Sequence, residues 1–385
     1  WSVDRGDVGT ITSQPTDTAT FTPTGKTGGL VTVVASLNGR TVERKVLVRL
    51  VASQNGYDPN NPRTASQVAT DVAQLKNGGG VGGVGGEGLG PGVSDANLLA
   101  ALENPVSDGS AEGLKFLYPY DGTVWPRGLL APLVMWRWNQ DDADAIRIEL
   151  ETTTGSFSWK GTFARPEILS TTGGRFIRHP IPQDVWEMAT NSAGGPTIDG
   201  TKDRIKLRLT IAKNGQAYGP IEQTWTIAPA RLSGIIYYNS YGTQLAKNFS
   251  RAVGGDKRFG GAILSIRVGD TGPKLAAGFD SAADRQGCRV CHSVAPNGSR
   301  LVVQGPNDDD SNVYDLDPSG SGPEQPLEHT AEFAGIYPDG SMALTSTGLL
   351  LPLPNDATPL PVSGLAEVSR LASPKFSNDG KLVAF

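Results

Sequence analysis

Sulfur and imidazole are scarce in this chain, which has two cysteines, three methionines and three histidines among 385 residues. Histidine-dependent hydrolytic mechanisms therefore have little to draw on, and no G-x-S-x-G elbow, H-E-x-x-H helix or P-loop occurs. No apolar run approaches a membrane span; Leu349-Leu350-Leu351 is broken at once by Pro352. There is no basic excess either, with 34 Lys and Arg against 39 Asp and Glu and a net charge of −5. Without a basic stripe to neutralise phosphates, a nucleic-acid partner is excluded. An initiator Met and a signal peptide are both missing. Trp1 opens in mid-strand and Phe385 closes an apolar strand, so a piece of a longer polypeptide is expected.

What is present is turn chemistry. The 49 glycines and 27 prolines make about a fifth of the chain, enough for many turns and too few for wholesale disorder. Thr, Val and Leu recur in short runs between those turns, which predicts a mainly β fold. The length predicts roughly two to four domains.

The rest of the chain is organised around Cys288-Arg289-Val290-Cys291-His292. C-x-x-C-H is the attachment sequence of a c-type haem: two thiols at this spacing add across the two porphyrin vinyls, and the adjacent imidazole meets the iron. Cys288 and Cys291 are the only cysteines, which sharpens the signal. Two other chemistries compete for the pair. One is a short-loop disulfide or redox couple. The other is zinc, for which only His179 and His329 could complete the usual four ligands.

In chain order, residues 1–51 predict a small β-sandwich, with Thr18–Thr22 and Gly29–Ser36 as strands and Asn38-Gly39 as a hairpin turn. Its "Thr-Phe-Thr-Pro-Thr" and "Gly-Leu-Val-Thr-Val" runs resemble bacterial Ig-like repeats. Arg5-Gly6-Asp7 reads as a turn between strands. Residues 52–115 read as connective: a helix over Thr64–Leu75, a flexible Gly-rich linker over Asn77–Gly92, and a short helix capped by Ser94 and ended by Pro105. Residues 116–230 form a second β-domain, with Trp136 and Trp138 as core. Its "Asp-Gly-Thr" turn ahead of a Trp strand and its late "Thr-Trp-Thr-Ile" strand resemble a fibronectin-III or Ig-like sandwich.

From residue 231 a repeat appears. Ala295–Val303, Tyr337–Thr345 and Ser377–Phe385 each carry an Asn-Gly or Asp-Gly turn, and their glycines Gly298, Gly340 and Gly380 lie 42 and 40 residues apart. A strand, a turn and a second strand at this period is the signature of propeller blades. "Pro-Lys-Phe-Ser-Asn-Asp-Gly-Lys-Leu-Val-Ala-Phe" from Pro374 resembles the TolB-type, WD40-like propeller repeat. Aligned on their glycines, His292, Ala334 and Pro374 coincide, so the C-x-x-C-H enters the first strand of a blade. That combination resembles large exported proteins of Gram-negative bacteria in which a haem motif is embedded in a TolB-like propeller. The resemblance implies tandem sandwiches followed by part of a propeller over 231–385. It also implies export to the periplasm, outer-membrane surface or medium.

Cys288 and Cys291 are thus the expected attachment points of haem c and His292 the expected proximal ligand. For the sixth position the order is His329, Met342, then an open site, with His179, Met135 and Met188 as the remaining donors. A second His or a Met suits electron transfer, and an open site suits a peroxidase or sensor. Asp308, Asp309 and Asp310, with Asp315 and Asp317 near, are candidates for Ca²⁺. The primary expectation is an electron carrier meeting a redox partner protein or a neighbouring haem chain, with self-assembly or cell-surface attachment possible for such a protein. The rival readings are a non-redox adhesion protein with a Cys288–Cys291 disulfide, and a peroxidase-like enzyme.

Overall fold

The computed structural model describes residues 1–15, 17–76, 86–195, 202–241, 245–246, 260–270, 272–278, 287–305, 310–320, 322–368 and 371–385. The chain is mainly β, in many small sheets. It divides into two compact units: residues 1–72 with 84–232, and residues 73–83 with 233–385.

The first unit is built on a six-stranded sheet. Its strands run in the order Leu50–Asn55, Phe157–Ala164, Ala145–Thr152, Arg204–Lys213, Gln216–Arg231 and Val124–Arg127. The two edge strands pair parallel to their neighbours, and the inner pairs are antiparallel. Alternation decides its faces. Ile205, Leu207, Leu209 and Ile211 are fully buried, while Lys206 and Arg208 between them meet Glu222 across the strand pair. A three-stranded sheet of Arg178–Pro180, Leu133–Arg137 and Lys115–Tyr118 shares the core, as does the helix Gln183–Ser192. Trp125, Trp186 and Trp225 meet edge to face there, with ring centroids 5.6–6.0 Å apart. Trp136 and Trp138 are core as expected.

Four features of residues 1–232 differ from the sequence reading. The break expected after residue 51 does not close a domain, because Leu50–Asn55 leaves the N-terminal strands and becomes an edge of the six-stranded sheet. The single helix expected over Thr64–Leu75 is two short ones, Pro62–Ala65 and Val72–Lys76. Between them Val68 bridges Gly88 in extended pairing. The helix Ala96–Glu103 is capped by Asp95, whose carboxylate accepts from the Asn97 and Leu98 N–H groups, and not by Ser94. Finally, residues 77–85 of the expected flexible linker lie outside the described residues, but Gly86 and Gly88–Gly90 are buried chain. A Cβ at Gly90 would stand 1.9 Å from the Ala164 carbonyl oxygen, so close approach, and not looseness, is what glycine supplies here.

The second unit is a series of antiparallel meanders in chain order. Ile235–Ser240, Ala262–Arg267 and Lys274–Ala277 form the first sheet; Val290–Val294, Arg300–Gln304, Ser311–Asp315 and Glu324–Pro326 form the second. Gly335–Ile336, Met342–Leu344 and Leu350–Pro352 form the third, and Lys375–Phe376 with Val383–Ala384 the last. The first strand of each sheet lies against the first strand of the next. Apolar residues fill the gaps: Ile263, Ala277, Leu301 and Tyr314 between the first two sheets, and Val302, Val313, Ile336 and Leu351 between the second and third.

The repeat turns touch one another. Asn297 donates from Nδ2 to the Asp339 carbonyl at 2.9 Å, one turn gripping the next. Gly298, Gly340 and Gly380 all have positive φ, at 75°, 80° and 69°. Alanine at Gly298 would meet open space and suffer only the left-handed backbone cost, about 1–2 kcal/mol. At Gly340 its Cβ would also stand 2.2 Å from Ser299 Oγ. Gly340→Ala is therefore expected to lower the denaturant midpoint of this unit more than Gly298→Ala does.

Candidate functional site

Cys288 and Arg289 are gripped by the start of the strand Ala262–Arg267. The Gly261 N–H donates to Cys288 Sγ at 3.2 Å, and the Arg289 N–H donates to the Gly261 carbonyl at 2.8 Å. The strand Val290–Val294 then follows with a bulge, since Val290 faces Gln304 while Ser293 faces Val302. The extra residue falls at Cys291 and His292, and Cys291 takes φ +53°, a conformation uncommon for a residue with a side chain. A bulge re-aims side chains, and here it does so within the attachment motif.

His292 points at the strand Ile235–Ser240. Its Nδ1 lies 2.8 Å from Asn239 Oδ1, and Asn239 Nδ2 donates to Tyr241 Oη at 3.2 Å. In the tautomer protonated on Nδ1, that nitrogen donates to Asn239 Oδ1 and Nε2 keeps its lone pair, the arrangement a metal-binding imidazole needs. Burial pushes the His292 pKa down, assisted by the positive charge of Lys375 and opposed by a hydrogen bond to the Tyr237 backbone, so the ring is neutral.

Both thiols are free, Cys288 buried and Cys291 half-buried. Burial raises the Cys288 pKa, against the Gly261 N–H and the Arg289 charge. Cys291 is pushed up to about 11 by burial first, then by the charges of Glu332 and Cys288. Thiols held protonated in this way do not resemble the low-pKa pair of a redox C-x-x-C. Arg289, the first variable residue of the motif, is itself buried. Its Nε meets Glu324 Oε1 at 2.6 Å and its Nη1 donates to the Cys288 carbonyl at 2.9 Å. This fork fastens the loop to the strand Glu324–Pro326.

The donor set fits haem c: two unbonded thiols, and a neutral imidazole whose second nitrogen is held. Tyr241 is 61 % exposed beside Asn239, and Phe333 is 44 % exposed next to Glu332, whose side chain contacts Cys291. Exposed rings of this size are surface that a porphyrin could cover.

The expected sixth ligands are not brought to His292 by any described contact. His329 is held by Asp356, which accepts from its backbone N–H at 2.8 Å and lies 3.2 Å from its Nδ1. Met342 is half-buried at the start of its strand, where its carbonyl accepts from the Tyr337 N–H. Met135 and Met188 lie in the first unit, Met188 against its core. His179 sits in a strand, fully buried, with Nε2 accepting from the Gly90 N–H at 3.0 Å. Of the calcium candidates, Asp308 and Asp309 lie outside the described residues. Asp315 is ion-paired with Arg300, and Asp317 accepts from the Ser319 N–H at 2.6 Å. Among the described residues no three His, Cys, Asp or Glu side chains are grouped to hold a metal ion.

Sequence reasoning found the motif and missed what supports it: Asn239, Gly261, Glu324 and Glu332. All four are distant in sequence from the motif and of ordinary type.

No family model and no curated protein matches the chain. Among solved structures it resembles a Bacteroides uniformis protein described as a candidate 6-phosphogluconolactonase. That match has 12 % identity and a TM-score of 0.24, covering 62 % of this chain and 88 % of that one. A Lactobacillus plantarum protein gives 15 % identity and a TM-score of 0.22, covering 63 % and 74 %. Likeness at this level carries no argument about activity.

Proposed function

We propose that this chain is an exported c-type haem protein that transfers electrons. Residues 231–385 are read as part of a TolB-like β-propeller, and the first unit as an Ig- or fibronectin-like spacer. The observation that carries the reading is the motif itself: the only two cysteines of the sequence, both free, ahead of a histidine whose Nδ1 is tied to Asn239. Haem, once attached, would supply a one-electron iron couple. Cys288 and Cys291 would hold it by two thioethers, and His292 Nε2 would bind the iron. Asn239 fixes the plane of the imidazole and keeps its proton on Nδ1. The Arg289–Glu324 fork holds the loop so that both sulfurs keep one orientation. The neutral state of His292 serves ligation, since a protonated ring has no lone pair to offer.

A spectroelectrochemical titration of the matured protein tests this reading. A single reversible one-electron wave with sharp low-spin bands in the reduced form is the expected result. A high-spin spectrum with rapid peroxide turnover would replace electron transfer by a peroxidase-like activity.

A further inference from the structure

The first unit holds a cluster of arginines that the haem reading leaves unused. At the C-terminal end of the helix Gln183–Ser192 the backbone turns through Gly194 and Gly195, and guanidinium groups press on both. A Cβ on Gly194 would stand 3.1 Å from Arg127 Nη2, and one on Gly195 would stand 3.1 Å from Arg5 Nη1. Arg231 pairs with Arg127 in the parallel register of their two strands, which sets a third positive charge beside the first two.

The helix end does not account for them. Its last carbonyls are largely met by other groups, Ala189 by the Ala193 N–H and Ser192 by Ser156 Oγ. It takes one donor from Arg127, through Nη2 to the Ala193 carbonyl at 2.6 Å, and one from Arg231, through Nη2 to Asn191 Oδ1 at 3.2 Å. Arg5 spends Nε and Nη2 on Asp7, leaving Nη1 toward Gly195. Among the described residues Asp7 is the only carboxylate paired with any of the three, and Arg127 Nε is buried without a partner. Three guanidiniums against one carboxylate leave a local charge of about +2, and like charges opposed across a strand pair are destabilising on their own.

We propose that Arg5, Arg127 and Arg231 form a binding site for a tetrahedral oxyanion, phosphate or sulfate. Such an ion offers acceptors in several directions and negative charge, of which Asp7 is the only paired source among the described residues. Repulsion agrees with this: the Arg127 pKa is pushed down by burial and then by the charges of Arg5 and Arg231, with Asp7 opposing. The Arg5-Gly6-Asp7 tripeptide is closed on itself by its own ion pair, which holds Arg5 at this cluster. The Arg5 side chain is only 18 % exposed, which favours a free ion over the phosphate of a lipid headgroup.

The test uses the whole chain with inorganic phosphate as probe, against chloride at matched ionic strength, read by calorimetry and by Tm. Saturable binding and a rise in Tm are expected. Arg231→Gln, at an exposed position, should weaken binding by about tenfold while the Tm without phosphate does not fall, because one of two opposed positive charges is removed. Absence of saturable binding, or equal affinity in Arg231→Gln, overturns the proposal. Capture on phosphatidylglycerol vesicles without binding of free phosphate overturns it too.

Discussion

If Cys288 and Cys291 attach haem as proposed, replacing both by alanine is expected to abolish it, so that denaturing gels stained for haem go from a full band to none. The two single variants are expected to differ from this and from each other. Each keeps one thioether and one unsaturated vinyl, so the reduced α band of the pyridine haemochrome moves to longer wavelength. Cys288 is buried and tied to the Gly261 N–H, whereas Cys291 sits at the bulge with φ +53°. Cys291→Ala should therefore leave the fold intact, and Cys291→Gly should relieve the backbone conformation while still removing the bond. Cys288→Ala also loses a buried contact and is expected to be the less stable of the two. If either single variant kept the wild-type spectrum, that sulfur would not be an attachment point.

The second large effect is an acid instability of the first unit centred on His179. Burial holds its pKa down to about 3, against an ordinary 6.5, with a backbone bond at Pro180 opposing. The folded state keeps the ring neutral, because Nε2 must accept from the Gly90 N–H. The unfolded chain binds the proton readily. A depressed folded value means stability that is complete above pH 6.5 and is lost as pH falls toward 3. The slope is about 1.4 kcal/mol per pH unit, or roughly 2–3 kcal/mol by pH 4.5. Carboxylates enter lower down. Asp142 resists burial through hydrogen bonds from the Phe176 N–H, Arg165 and Lys213, which hold it at about 2 against 3.8. Its contribution is lost only below about pH 4, and that of Glu222, whose pKa is also lowered from an ordinary 4.5, begins to go as pH falls toward that value, so histidine dominates the upper part of the window between 4.5 and 6.5. All seven tryptophans precede residue 226, so tryptophan fluorescence in denaturant follows this unit. His179→Gln, which can still accept from Gly90, should flatten the fluorescence-detected slope across that window by one proton. An unchanged slope would mean that His179 is not the group responsible.

Much of the second unit was legible because its period is written in local chemistry. Asn-Gly and Asp-Gly turns at Gly298, Gly340 and Gly380 fall where the strands reverse. Local signals failed where long-range pairing decided the outcome. Nothing within residues 50–55 says that they will run parallel to Phe157–Ala164 a hundred residues later. The glycines of 86–92 looked like a linker because composition cannot tell freedom from close approach. At Gly90 the neighbouring carbonyl of Ala164 settles which it is. In the site, the ligating residues carried a motif and their supports did not. Asn239 lies 53 residues before His292 and is an ordinary strand residue until the sheet brings the two together.

The central claim is covalent haem at Cys288 and Cys291, and intact-mass analysis of the chain exported with haem-c maturation tests it most directly. A mass increased by one haem, retained after acid–acetone extraction and lost in the double cysteine variant, is the predicted result. A colourless chain of unmodified mass, or one lighter by two hydrogens from a Cys288–Cys291 disulfide, would contradict it.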